Sequence, residues 1–260
     1  MLADCGSVIV ACSGGIDSLL LATVAHRHEP AHTVVAHTVT PAVPSDGTAR
    51  VMAHARREGW DLEVVRSREF DDERYLSNPT DRCYYCKTNL YDAVAELADT
   101  GVAPAGSTIL SGANIDDLGE YRPGLTAAAE HGVRHPYIEA GMGKAEIRSV
   151  ARHLAVAEAE LPASPCLASR LYTGTRVTAE RLRAIELGEA VVRAAGMPVA
   201  RCRVRTTEVL VEVPEADRPL VTQQLLDDVA TAMAAVAPDI AAVALDDRPY
   251  RPGQAILHVS

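Results

Sequence analysis

Six residues near the start of the chain, Ser13-Gly14-Gly15-Ile16-Asp17-Ser18, carry the strongest chemical signal. An apolar run, Ser7–Cys12, precedes them and reads as a buried strand. Leu19–His26 follows and is rich in helix formers. A Gly-Gly turn from strand to helix exposes backbone N–H groups and the positive end of a helix dipole, which suits phosphate. Ser13 and Ser18 add hydroxyls. Asp17 makes sense beside an anion when it holds Mg²⁺ riding on the phosphates, or orients a neighbour. The stretch lacks the Gly-Lys-Ser/Thr ending of a Walker A loop and the spaced glycines of a dinucleotide fingerprint.

Further groups recur at expected strand ends. His37 and Thr38 close the run Thr33–Val39, where adenine or ribose can lie; they are equally well plain strand-end residues. Gly112-Ala113-Asn114-Ile115-Asp116-Asp117 follows the run Ser107–Ser111. Gly112 permits close backbone approach. The aspartates either hold Mg²⁺ and polar ligand groups or cap a helix. Lys144 opens a helix to Leu154 and either reaches phosphate or belongs to a surface charge pattern. Cys83 and Cys86 stand three apart before a helix over Asn89–Ala98, as half a metal site or a redox pair. Cys166 lies in a proline-bounded loop, and Arg170, four residues on, can favour its thiolate. Arg201, Arg203 and Arg205 alternate, so they share one strand face, as an anion pocket or an edge-strand charge device.

The elements that must position these groups alternate. Thr48–Gly59 reads as a helix, Leu62–Val65 as a third strand and Tyr137–Glu139 as a last short strand. The expectation is an α/β fold with a doubly wound parallel sheet over residues 1–170. A smaller α+β domain follows over 171–260, with a helix at Thr178–Ala195, paired strands from Arg201, a helix at Ala216–Val236, and strands near Ala241–Leu245 and Ala255–Val259.

The 260 residues suffice for a sizeable core. With 48% hydrophobic and 23% charged residues the chain reads as globular. A net charge of −10 counts against broad capture of nucleic acid but not against a local basic pocket. No run has the length of a membrane span, and the first residues carry no signal-peptide pattern, so reduced cysteines in a cytoplasmic setting are expected.

Taken together, Ser13–Ser18, Gly112-x-Asn114-x-Asp116-Asp117, Tyr121-Arg122-Pro123-Gly124-Leu125, Lys144-x-Glu146-Ile147-Arg148, Cys166-Leu167-Ala168-Ser169-Arg170 and Arg203-Val204-Arg205 resemble the LarE family of ATP-dependent sacrificial sulfur transferases. These belong to the PP-loop ATP pyrophosphatases. The resemblance covers nearly the whole chain. It implies that ATP adenylates a carboxylate of pyridinium-3,5-dicarboxylate mononucleotide, on the path to a nickel-pincer cofactor, with release of pyrophosphate. Cys166 then forms a thioester and gives up its sulfur, leaving dehydroalanine. The resemblance also implies a homo-oligomer, substrate binding by Arg170, substrate-phosphate binding by Arg203 and Arg205, and a metal role for Glu189. Relatives with three such cysteines resemble iron–sulfur proteins, so Cys83, Cys86 and Cys166 would hold a [4Fe–4S] cluster with one open iron, which would spare Cys166. The competing readings are another PP-loop adenylating enzyme (an amide ligase or tRNA thiolase) and a nucleotide-binding regulator without chemistry.

Overall fold

The computed structural model describes residues 2–119 and 122–251. Tyr121 and the strand expected over Ala255–Val259 lie outside the described residues. The chain through Asp71, together with Cys83–Ser164, forms one compact unit. Asp72–Arg82 and the chain from Pro165 onward form the other.

The first unit runs β1 (Val8–Ala11), α1 (Ile16–His28), β2 (Thr33–Thr38), α2 (Ser45–Glu58) and β3 (Asp61–Val65). After the excursion Asp72–Arg82, which contains α3 (Glu73–Leu76), it continues with α4 (Arg82–Asp99), β4 (Thr108–Ser111), α5 (Pro123–Glu130), α6 (Pro136–Glu139) and α7 (Lys144–His153). All strands are parallel, in the order β3-β2-β1-β4. The order grows outward in both directions from β1, so the anion-loop candidate sits at the C-terminal end of a central strand. Alternation along β1 shows why both faces need helices. Val8 and Val10 enter a core with Leu19, Leu20, Val51 and Ile147, whereas Ile9 enters a second core with Tyr91, Val94 and Ala128. The doubly wound expectation is met.

Two local readings change. Tyr137–Glu139 is a helical turn, not a strand. Pro136 has no N–H to give a ladder, and its fixed φ suits the first helical position. The strand-like pairing falls just earlier, where Arg134 bridges Leu110 beside β4. The helix over α4 also begins at Arg82, so Cys83 and Cys86 lie in its first turns.

The second unit holds α8 (Ala179–Ala194), β5 (Arg201–Arg205), β6 (Glu208–Glu212), α9 (Gln223–Ala234) and β7 (Ala242–Leu245). β5 pairs antiparallel with β6, and β6 parallel with β7. Thr178 caps α8 by accepting from Arg181 N–H. The long helix expected over Ala216–Val236 is interrupted. Glu215–Leu220 is a 3-10 turn containing Pro219, and Thr222 starts α9 afresh by accepting from Leu225 N–H. The excursion is tied into this unit. The Asn78 side-chain amide donates to Tyr172 O and Thr175 O, and Arg82 donates to Ala168 O.

Candidate functional site

In the first unit Ser13–Ser18 forms the turn between β1 and α1. Gly14 has φ +82°, and a Cβ there would lie 2.7 Å from Gly47 O on α2, so only glycine fits. Ser18 closes the turn from within: its hydroxyl donates to Gly15 O at 3.0 Å, and its oxygen accepts from Ser13 N–H at 3.1 Å. Arg50 of α2 donates to Gly14 O at 2.8 Å. Gly15 is the N-cap of α1 and gives no side-chain cap, which leaves the first-turn N–H groups to an incoming anion. A Cβ on Gly112 would lie 2.9 Å from Ser18 N, so β4 ends hard against that first turn.

Asp17 is the charged member. One carboxylate oxygen meets Lys144 Nζ from the start of α7, while Oδ1 is buried with no hydrogen-bond partner among the described residues. The Tyr137 hydroxyl, its pKa pushed well up by burial and then by the Asp17 charge, donates to Asp17 O at 3.0 Å. An orphaned buried carboxylate oxygen beside an anion loop fits a hard divalent cation such as Mg²⁺. Lys144 N–H also donates to Asp116 Oδ2 at 2.8 Å. Asn114 and Asp117 form a capping box, each side chain taking a backbone N–H of the other's turn, and Asp117 pairs with Arg122 at 3.1 Å.

His37 is fully buried. Its Nδ1–H donates to Cys12 O at 2.8 Å, and Nε2 accepts from the Thr48 hydroxyl at 3.0 Å. Burial holds its pKa below the ordinary imidazole value. Both ring nitrogens thus tie β2 to the loop and to α2. The Thr38 hydroxyl, at the end of β2, is buried without a partner. Cys12 is buried, and that pushes its thiol up to about 11, which keeps it protonated.

In the second unit Cys166 is exposed at the start of a 3-10 turn, Leu167–Arg170. Arg170 is 3% exposed and holds this loop from below. It donates to Pro165 O at 2.7 Å and Cys166 O at 3.1 Å, and it grips both oxygens of Glu189 at 2.8 and 3.1 Å. The Glu189 carboxylate, 2% exposed, is thereby engaged by guanidinium. Arg203 pairs with Glu212 at 3.0 Å and donates to Ser169 O at 2.9 Å. Arg205 is exposed. Arg201 is 8% exposed, lies over the Tyr250 ring, and among the described residues forms a hydrogen bond only to Ala200 O. Among the described residues no carboxylate is within ion-pair distance of it; burial, then the Arg170 charge, lower its pKa against the pull of Glu189. A buried guanidinium so placed has the chemistry to take an anion.

Cys83 is exposed and Cys86 half-buried on α4 of the first unit. Among the described residues no group of three or more His, Cys, Asp or Glu side chains is gathered to hold a metal. Nor is any described helix long and apolar enough to cross a membrane.

Gly47, Arg50, Tyr137 and the uncompensated state of Arg201 escape sequence reasoning. Only Arg201 leaves a trace there, as a member of the alternating arginines.

A parallel sheet grown both ways from β1, with a glycine-serine anion loop at its central edge, defines a PP-loop type of α/β protein, a fold consistent with nucleotide binding. No family model matches the chain. It is 34% identical over 221 residues to the uncharacterized protein slr1717 of Synechocystis, across 85% of this chain and 80% of that one, and it belongs to the same family, within the ATP-using PP-loop enzymes. It is also 29% identical to the pyridinium-3,5-bisthiocarboxylic acid mononucleotide synthase of Lactiplantibacillus plantarum, over 83% of this chain and 77% of that one. The uncharacterized protein MJ0830 of Methanocaldococcus jannaschii is 28% identical, over 72% and 69%.

Proposed function

We propose that this protein uses ATP to activate a carboxylate of pyridinium-3,5-dicarboxylate mononucleotide and transfers sulfur to it from Cys166. One observation carries the reading. Cys166 is an exposed thiol on a loop whose carbonyls are clamped by the buried Arg170–Glu189 pair. A nucleophile needs such access and such fixed backbone. The name of the Lactiplantibacillus relative supports the substrate class.

The chemistry balances with the residues at hand. A carboxylate oxygen attacks the α-phosphorus of ATP, the Pα–O–Pβ bond breaks, and pyrophosphate leaves. The Ser13–Ser18 loop and the open N–H groups of α1 receive the phosphates. Asp17, through its orphaned oxygen, would hold Mg²⁺, which supplies charge neutralisation on the phosphates. The Cys166 thiolate then attacks the acyl carbon, the acyl C–O bond breaks, and AMP leaves. Loss of the Cα proton and cleavage of Cβ–S pass the sulfur to the substrate and leave dehydroalanine. Arg201, with Arg203 beside it on β5, would take the substrate phosphate.

The test is pyrophosphate release together with intact mass after reaction. Wild type loses the mass of one hydrogen sulfide, and Cys166→Ala releases pyrophosphate without forming thiocarboxylate. Thiocarboxylate formation by Cys166→Ala would overturn the reading. The spacing of Cys83 and Cys86 on one turn favours a second reading, in which a reconstituted cluster spares Cys166. Anaerobic reconstitution that gives iron–sulfur absorption in wild type and not in Cys83→Ala, with no mass loss on reaction, would select it.

A further inference from the structure

Ser111 and His135 form a polar pair that the steps above do not use. Ser111 ends β4 in register with Ala11, directly before the Ser13–Ser18 loop. Its hydroxyl lies 2.8 Å from His135 Nδ1. The chain just ahead of His135 is locked to β4, because Ser111 N–H donates to Arg134 O and Arg134 N–H donates to Ile109 O. Pro136 then turns the chain into α6, which carries Tyr137 to Asp17 O. The imidazole is thus fixed from both sides, one strand beyond β4. Two strand spacings, about 10 Å, separate it from the end of β1, a distance a triphosphate chain can span.

The pair is compatible with the tautomer in which the Ser111 hydroxyl donates to Nδ1, and that tautomer is taken below. Ala113 N–H leans on one lone pair of Ser111 Oγ at 3.5 Å, and the hydroxyl hydrogen is free to point at Nδ1. In that tautomer the ring proton sits on Nε2, a donor with no acceptor recorded among the described residues. The charged groups that bear on the ring are Glu139 of α6, Lys87 of α4 and Asp117 after β4. Burial outweighs them and keeps the imidazole neutral at physiological pH.

We propose that His135 is a nucleotide-contacting residue whose Nε2–H donates to a β- or γ-phosphate oxygen, and that Ser111 positions it. This rests on the reading that the Ser13–Ser18 loop takes the phosphates of ATP. The contact adds a neutral donor where charge grows on the departing pyrophosphate, without another cation beside Lys144.

The experiment measures ATP and AMP affinity for wild type, His135→Ala, His135→Gln, Ser111→Ala and Ser111→Thr, each checked for an unchanged melting temperature. His135→Ala should lose about tenfold in ATP affinity and leave AMP within about twofold, the scale of one hydrogen bond to a charged group. His135→Gln, which keeps a donor, should recover most of the loss. Ser111→Ala should show a smaller loss together with a shifted pH dependence of ATP binding, and Ser111→Thr should restore both. His135→Ala binding ATP as wild type does, or losing ATP and AMP equally, would overturn the assignment alone. Wild type failing to bind ATP would bring down the phosphate-loop reading and this contact with it.

Discussion

The two units handle polarity in opposite ways. In the first, the candidate site is backbone, glycine and a few side chains, and it leaves Asp17 Oδ1 and the Thr38 hydroxyl buried without partners. In the second, the buried charges are almost all matched: Arg170 with Glu189, and Arg203 with Glu212. Buried atoms without partners also occur away from the loop, at His26, Trp60 and Thr88, so it is the position of Asp17 beside the glycine-serine turn, and not the missing partner alone, that makes its oxygen a candidate ligand contact. Matched pairs fix geometry. Arg201 is the instructive exception: among the described residues its guanidinium has no ion-pair partner, which is what the proposed phosphate contact requires.

The largest test of this contrast is Glu189→Ala. It strands Arg170 in the interior and should cost about 3–5 kcal/mol, read by urea denaturation, with Cys166 becoming more accessible to a thiol reagent. A loss under about 1 kcal/mol would mean the pair is not the clamp described. Next comes Gly14→Val. The positive φ and the 2.7 Å approach to Gly47 O should cost about 2–3 kcal/mol and abolish ATP binding in a calorimetric titration.

Acid should act on the units with opposite sign. Burial lowers the pKa of His37 and of His54, so each folded imidazole binds fewer protons than the unfolded one. Their stabilisation is complete above about pH 6.5 and is lost as pH falls through the lower folded values. Glu212 is raised by burial against the pull of Arg203. Its contribution is complete below the ordinary carboxylate range and is lost as pH rises through the folded value. Hydrogen exchange at pH 5.5 and pH 7.5 should therefore show the first unit loosening in acid more than the second. Uniform loosening would erase the distinction. The smallest effect belongs to Lys144→Met. The lysine is 40% exposed, so stability should change by less than about 1 kcal/mol, while Mg²⁺-dependent ATP affinity changes in an equilibrium titration.

Local features of this fold are legible in the sequence, and long-range ones are not. The strand, the Gly-Gly turn and α1 are contiguous, and the apolar alternation around them carries the doubly wound sheet. Tyr137 is misread as strand because three apolar or polar residues cannot show their period, and Pro136 decides instead. Period two puts Arg201, Arg203 and Arg205 on one face but cannot tell which end is covered. Arg205 abuts the turn at Thr206, whose φ is +57°, and so faces water. Gly47 and Arg50 reach the loop from more than 30 residues away, His135 meets Ser111 from 24 residues further along the chain, and no local pattern marks them.

The excursion Asp72–Arg82 has a consequence for how the molecule is made. Asn78 leaves the ribosome 94 residues before Tyr172, its partner. At ordinary elongation speed that is a wait of roughly 5–20 s, during which the parallel sheet around β1 can assemble while this short stretch dangles from it. The nascent protein thus carries an unfinished graft, healed only when the last third arrives. A gene cut anywhere between the two halves would sever the graft from its stock.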